Sequence, residues 1–269
     1  VSPLWRDRIH AFLAPGRVDL VRYFRGMKRR QPARHTAACG QKPGLPPWET
    51  PLEQLREMLS DAAGTELTVT LSNHFVRYAV IPAEAKIENP AELYAYAAFR
   101  MREIFGDKAA TWELGVSKWD PSSGGICAAM ERDLLERLQA LAVDQKVELK
   151  GAAPYLADAI DQWCARFDRK KAWFALVETG RFCVASLRDG AWQRISSRRI
   201  LYSAEDELLA TLEQEAILFS GGKDPVEQVV LFAPEHPRLA LPSDCGWRAV
   251  LPPAGSRSAP PHYPVALHG

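Results

Sequence analysis

Few stretches of this chain combine residue types and spacings that do chemistry. Ser220-Gly221-Gly222-Lys223 has the glycines and lysine of a phosphate-binding loop, but it lacks the Walker spacing and follows a helical pattern instead of opening one. It reads as a glycine helix stop. The histidines, His10, His35, His74, His236, His262 and His268, form no His-x-x-x-His or His-Glu pair, so no metal site is expected. Cys39, Cys127, Cys164, Cys183 and Cys245 are scattered without a Cys-x-x-Cys pair, and Cys127 and Cys183, flanked by apolar residues, read as core thiols. A Gly-x-Ser-x-Gly elbow is absent, and no residue is assigned a catalytic role.

Two groups have the composition of recognition surfaces. Arg22, Arg25, Lys28, Arg29, Arg30 and Arg34 form a basic run suited to anionic lipid or an acidic partner segment; a charged strand edge that resists aggregation accounts for the same residues. Tyr94, Tyr96, Phe99 and Arg100 share one helical stretch and are partner-binding candidates, with core packing as the alternative. With 34 Lys plus Arg against 33 Asp plus Glu, the net charge of +1 selects neither nucleic acid nor membrane as a partner. At 47% hydrophobic and 25% charged residues, the composition is that of a globular protein. No apolar run reaches the length of a membrane span, and a reducing cytoplasm is the expected location.

The elements that must position these residues recur in a pattern. Residues 9–13, 18–23 and the basic segment 28–34 read as a three-stranded meander, followed by a helix through Leu52, Leu55 and Leu59. Residues 67–71 and 75–81 read as strands joined by a tight hairpin at Asn73-His74, because Asn tolerates positive φ. Next come a helix through Leu93, Ala97, Met101 and Ile104, a strand over 112–116, a helix carrying Met130, Leu134, Leu135, Leu138 and Leu141, and a short strand over 146–149. Pro154 then opens a helix. From Ala172 a meander and a helix occur again, ending in an apolar strand over 229–232. Repetition of so large a unit implies two similar lobes. The expected division is a first lobe over 1–170 with an insertion at about 84–145, a second lobe over 171–251, and a Pro/Gly-rich tail over 252–269.

This duplicated order of elements, with 71–82 (Leu-Ser-Asn-His-Phe-Val-Arg-Tyr-Ala-Val-Ile-Pro) as strand, turn and returning strand, resembles the actin-like, ribonuclease H-like α/β fold. In detail it looks like the PilM/GspL/MshI-type assembly proteins of type IV pilus and type II secretion systems. The resemblance implies a nucleotide site built on an Asp-x-Gly turn in each lobe, where glycine amides approach the phosphates and the carboxylates hold Mg²⁺. Here the first turn is degenerate, with Phe12 and Ala14 before Pro15, and the second retains only Glu178 and Gly180. The adenosine-side strand runs into Ala233-Pro234-Glu235 instead of paired glycines. The expectation is therefore a scaffold that is not an enzyme and needs no cofactor. Its partner would be an inner-membrane assembly protein, or that protein's cytoplasmic peptide bound in a groove beside the first-lobe insertion, or else the assembly ATPase. It would act in the cytoplasm or at the inner face of the membrane, without nucleic acid. The alternatives are a residual ATP binder or slow ATPase using Glu178, and a basic-surface module that binds lipid or nucleic acid.

Overall fold

A computed structural model describes residues 6–26, 30–83, 86–117, 119–163, 171–220 and 228–250. Strands β1 (Arg8–Ala14), β2 (Arg17–Tyr23) and β3 (Ala33–Ala38) form an antiparallel meander, and helix α1 (Glu49–Met58) follows. Ile9, Ala11 and Leu13 alternate inward from β1, and α1 covers them with Leu52 and Leu55. β4 (Glu66–Leu71) runs parallel to β1. β5 (Val76–Ile81), α2 (Pro90–Phe105), a 3₁₀ turn, β6 (Trp112–Val116) and β7 (Gly125–Glu131) come next, then α3 (Arg132–Asp144), β8 (Glu148–Pro154) and α4 (Tyr155–Trp163). Asn89 fixes the start of α2 by accepting the Glu92 amide at 3.0 Å, with Pro90 in the first turn where its missing donor does no harm.

The second half has β9 (Lys171–Glu178), β10 (Arg181–Arg188), β11 (Ala191–Arg199), α5 (Ala204–Ser220), β12 (Gln228–Phe232) and β13 (Arg248–Val250). The two five-stranded sheets have corresponding orders, β3-β2-β1-β4-β8 and β11-β10-β9-β12-β13. In each, a meander is extended by two parallel strands reached through crossovers. One apolar core joins them: Ile9, Leu67 and Val69 of the first half pack in the same cluster as Phe174, Leu176, Cys183 and Val230 of the second. Trp173, Phe182, Val184, Leu208 and Leu212 form a separate core beneath α5. A third cluster, with Ala79, Ile81, Ala97, Met101 and Cys127, lies between α2 and a three-stranded sheet ordered β5-β7-β6.

Several expectations are corrected. The Asn73-His74 turn is not a hairpin: β4 belongs to the first five-stranded sheet and β5 to the three-stranded one, so the turn carries the chain from one sheet to another. Asn73 does not have a positive φ, and its role lies in its hydrogen bonds, described below. Met130 sits on strand β7, not on the following helix, because Gly125–Glu131 is a run of small and apolar residues buried on both faces, which lacks the alternation of a half-buried strand. The strand placed at 146–149 covers Glu148–Pro154, with Pro154 closing it where a helix start was expected. The third meander strand begins at Ala33; Lys28 and Arg29 lie outside the described residues, as do the tail and most of Ser220-Gly221-Gly222-Lys223. β13, only three residues long, carried no readable period.

Gly124 pins the turn into β7. Its φ is +70°, and a Cβ there would lie 2.4 Å from the Ile81 carbonyl oxygen. Gly124→Ala should therefore lower stability by about 2 kcal/mol or more, as a shift in the urea midpoint at unchanged slope.

Candidate functional site

The carboxyl ends of β1, β4 and β9 converge where the two halves meet. β9 ends in Glu178, 2% exposed, and β4 ends one residue before Ser72 and Asn73, both fully buried. The Asn73 amide donates to Glu178 Oε2 at 3.1 Å and its side-chain Nδ2 donates to the same oxygen at 2.6 Å. Asn73 Oδ1 accepts from the Tyr78 hydroxyl and, at 3.3 Å, from the Leu156 amide at the start of α4. One side chain thereby ties β5, α4 and β9 together, and its residue's two donors engage one oxygen of a carboxylate from the other half, whose Oε1 is buried without a hydrogen-bond partner.

Two histidines extend the seam. His74 Nε2 donates to the Thr179 carbonyl at 3.0 Å, and His236 Nε2 to the Glu178 carbonyl at 3.3 Å. Glu235, just beyond β12, accepts the Thr179 amide at 2.8 Å and the Thr179 hydroxyl at 2.6 Å through Oε2. Its Oε1 accepts Arg17 Nη2 at 2.7 Å, and Arg17 Nε reaches Asp19 at 2.8 Å. Arg17 also lies over the Phe12 ring, 5.2 Å from its centroid. Phe12, Tyr155 and Phe232 stack edge to face, with centroids 4.9 Å and 6.1 Å apart along the row.

The sequence-selected turn residues are thus brought together, in positions where each is engaged. Phe12 is in the aromatic row, Ala14 ends β1 at the hairpin, Glu178 is bound by Asn73, and Gly180 takes a φ of +76° in the β9–β10 turn against the His74 ring. Chemically, the Thr179 amide, which would be free to approach a phosphate, already has an internal carboxylate as its acceptor. Sequence reading did not find Arg17, Asn73, Tyr155 or Glu235 as members of this group. Glu235 is 56 residues from Thr179 along the chain, and no local spacing signals their contact.

Burial raises the pKa of Glu178, while hydrogen bonds from Ser72 and Asn73 act in the opposite direction. Burial also acts to raise that of Glu235, but the hydrogen bonds from Thr179 and the charge of Arg17 outweigh it and hold the carboxyl below its ordinary range. Asp158 on α4 accepts Thr70 Oγ1 at 2.6 Å and is pushed up to about 6 by burial. Cys127 and Cys183 are fully buried, and burial pushes both thiols up to about 12, as expected of core residues. Among the described residues no group of His, Cys, Asp and Glu could hold a metal ion.

The candidate recognition residues lie elsewhere. On α2, Tyr94 is 47% and Phe99 60% exposed, whereas Tyr96 packs against the third core and Arg100 pairs with Glu103. Partial burial and the Glu113 carboxylate raise the pKa of the Tyr94 hydroxyl. β6 is a sheet edge, and next to it runs a groove lined by Glu113, Leu114, Gly115, Met130, Leu135, Gln139, Leu149 and Ala152, between β6, β7, α3 and β8. In the basic group, Arg22 pairs with Asp7 at 3.1 Å and Asp61 at 3.6 Å, and Arg25 is anchored through its backbone amide to Asp7. Arg30 lies over the Phe24 ring, 5.7 Å from its centroid. The group is therefore partly neutralised.

No protein-family model and no curated protein sequence matches the chain. Solved structures do. The cytoplasmic domain of EpsL, an inner membrane component of the type II secretion system of Vibrio cholerae, superposes with a TM-score of 0.56 at 11% identity, over 91% of this chain and 90% of that one. A chain of the PilM-PilN type IV pilus biogenesis complex gives 0.60 at 13% identity, over 86% and 82%. A Bacteroides thetaiotaomicron protein with an actin-like ATPase fold and unknown function gives 0.53 at 10%, over 85% and 82%. The chain has the actin-like fold, and the resemblance read from its sequence is met at the level of the fold.

Two outcomes test the seam. Asn73→Ala removes the Nδ2 donor from Glu178, leaving it the backbone amide, and the acceptor of the Tyr78 hydroxyl, and should cost about 3 kcal/mol in denaturant unfolding. Asp158 has a folded pKa raised from 3.8 to about 6, so its contribution is complete below the unfolded value and is lost as pH rises through about 6. Asp158→Asn should abolish a fall of about 2 to 3 kcal/mol across that window, measured as stability against pH.

Proposed function

We propose that this chain is a non-catalytic scaffold of an inner-membrane pilus or secretion assembly platform, and that it binds an extended cytoplasmic segment of a membrane partner. The observation that carries the first part is the engagement of the Thr179 amide by Glu235, with Arg17 on the other carboxylate oxygen. An internal carboxylate at that amide repels an incoming phosphate, Ala14 offers no carboxylate for Mg²⁺, and Glu178 is buried with one oxygen already bound to Asn73. The second part is supported by the position of β6 at the edge of its sheet beside a narrow apolar groove, a geometry suited to adding one strand, and by the likeness to a chain of a PilM–PilN complex. Tyr94 and Phe99, on α2, supply exposed aromatic area of the kind that anchors such contacts. No helix among the described residues is long and apolar enough to cross a membrane.

The test is binding of labelled cytoplasmic peptides from the inner-membrane proteins of the host's pilus or secretion machine. Leu114→Arg combined with Tyr94→Ala should weaken the binding peptide by about 30-fold or more with an unchanged circular dichroism spectrum. Full affinity in this variant would remove the groove from the account. For the nucleotide, Mg·ATP should raise the melting temperature no more than equimolar magnesium tripolyphosphate does. A saturable excess due to the adenosine part would return the chain to the ATP binders.

A further inference from the structure

On the far side of the β9–β10 turn from Glu235 lies a concentration of positive charge that the proposed function does not use. Arg181 opens β10 directly across from Arg199 at the end of β11, and like charges opposite one another in an antiparallel pair repel. Arg181 is only 7% exposed; its Nη1 donates to Ser197 Oγ at 2.8 Å, while its buried Nε has no hydrogen-bond partner. Arg77 comes from β5, which packs against β11, and donates only to the carbonyls of His74 and Val76.

The neighbouring arginines of β11 show that these three are unusual. Arg194 and Arg198 point to the α5 side, where they meet Glu215 at 3.4 Å and Gln214 at 2.7 Å. Ser197 and Arg199 point the other way, toward the first half. Among the described residues no Asp or Glu forms an ion pair with Arg77, Arg181 or Arg199. After burial, the charges of Arg77 and Arg199 lower the pKa of Arg181, and those of Arg181 and Arg199 lower that of His74. The acid that counters them, Glu178, gives Oε2 to Asn73 and, among the described residues, forms no ion pair with any of the three. A half-buried group of guanidiniums with a spare buried donor and no bound carboxylate is costly unless an anion neutralises it.

We propose that Arg77, Arg181 and Arg199 form a binding site for a phosphate-class oxyanion at the seam between the two halves, separate from the Thr179 turn. Guanidinium forks match the planar pairs of oxygens that a phosphate presents, and exposed Arg199 gives the anion a way in from solvent. The anion's source is either a free phosphate compound or a phospholipid headgroup.

The experiment uses the full chain in chloride buffer, with inorganic phosphate and pyrophosphate as soluble probes and phosphatidic acid vesicles as the lipid probe. Pyrophosphate should raise the melting temperature by about 5 °C at saturation over chloride of equal ionic strength. Arg199→Gln and Arg77→Gln should each lose most of that shift, and Arg199→Gln, relieved of repulsion, should be at least as stable as the native protein in chloride alone. Vesicle co-sedimentation lost in Arg199→Gln assigns the lipid source, and a response to the soluble probes alone assigns the free one. The absence of any phosphate-specific response to either kind of probe would overturn the site, as would a full shift in both variants or an Arg199→Gln protein destabilised in chloride.

Discussion

The bond from Asn73 to Glu178 is the constraint around which the two halves are arranged. A carboxylate that is 2% exposed must have donors, and the donors nearest the end of β9 belong to the other half of the chain. Glu178, at the end of β9, thereby meets the turn that follows β4, and residues of both strands share one core that contains Leu67, Val69, Phe174 and Leu176. Because Asn73 also accepts from Tyr78 and the Leu156 amide, the same contact sets the start of β5 and of α4. Loss of a single amide side chain would thus be felt in three elements.

The rest of the seam repeats this logic with different groups. Glu235 satisfies Thr179 and is itself neutralised by Arg17, while the Phe12, Tyr155 and Phe232 rings fill the space alongside. In a fold whose nucleotide-binding members place a ligand between two turns, the proposed reading is that side chains of this protein supply the cohesion themselves. The arginines just beyond the turn would then be where a real anion can still act.

Most strands and helices were legible because their periods are strong: Ile9, Ala11 and Leu13 alternate, and Leu52, Leu55 and Leu59 fall on one helical face. Repetition of meander and helix gave the two-lobed plan. Legibility failed where both faces of a strand are buried, as in β7, whose apolar residues at 126–130 mimic helical spacing. It also failed at Asn73. Asparagine in a turn suggests a positive φ, and nothing in the neighbouring residues says that its partner is a carboxylate 105 positions away. Phe12, Ala14 and Pro15 are visible in the sequence as departures from an Asp-x-Gly turn, but the contacts of Arg17 and Glu235 beside them depend on tertiary neighbours alone. The partner candidates divided for a related reason. Helical spacing places Tyr94, Tyr96 and Phe99 on different faces of α2, and only the packing of the three-stranded sheet decides which of those faces remains exposed.

Native-state hydrogen exchange of the ligand-free protein tests the central claim most directly, since the Asn73 amide crosses the seam to Glu178 and the Thr179 amide is held by Glu235, whose other oxygen takes Arg17 from the first half. If side chains alone hold the halves together, the Asn73 amide should exchange only through global unfolding, with the same free energy and denaturant dependence as the amides of β1 and β9. The Thr179 amide should be protected as well. Rapid exchange of both amides while β1 and β9 stay protected, or protection gained only on adding Mg·ATP, would show two lobes that open independently and would contradict the account.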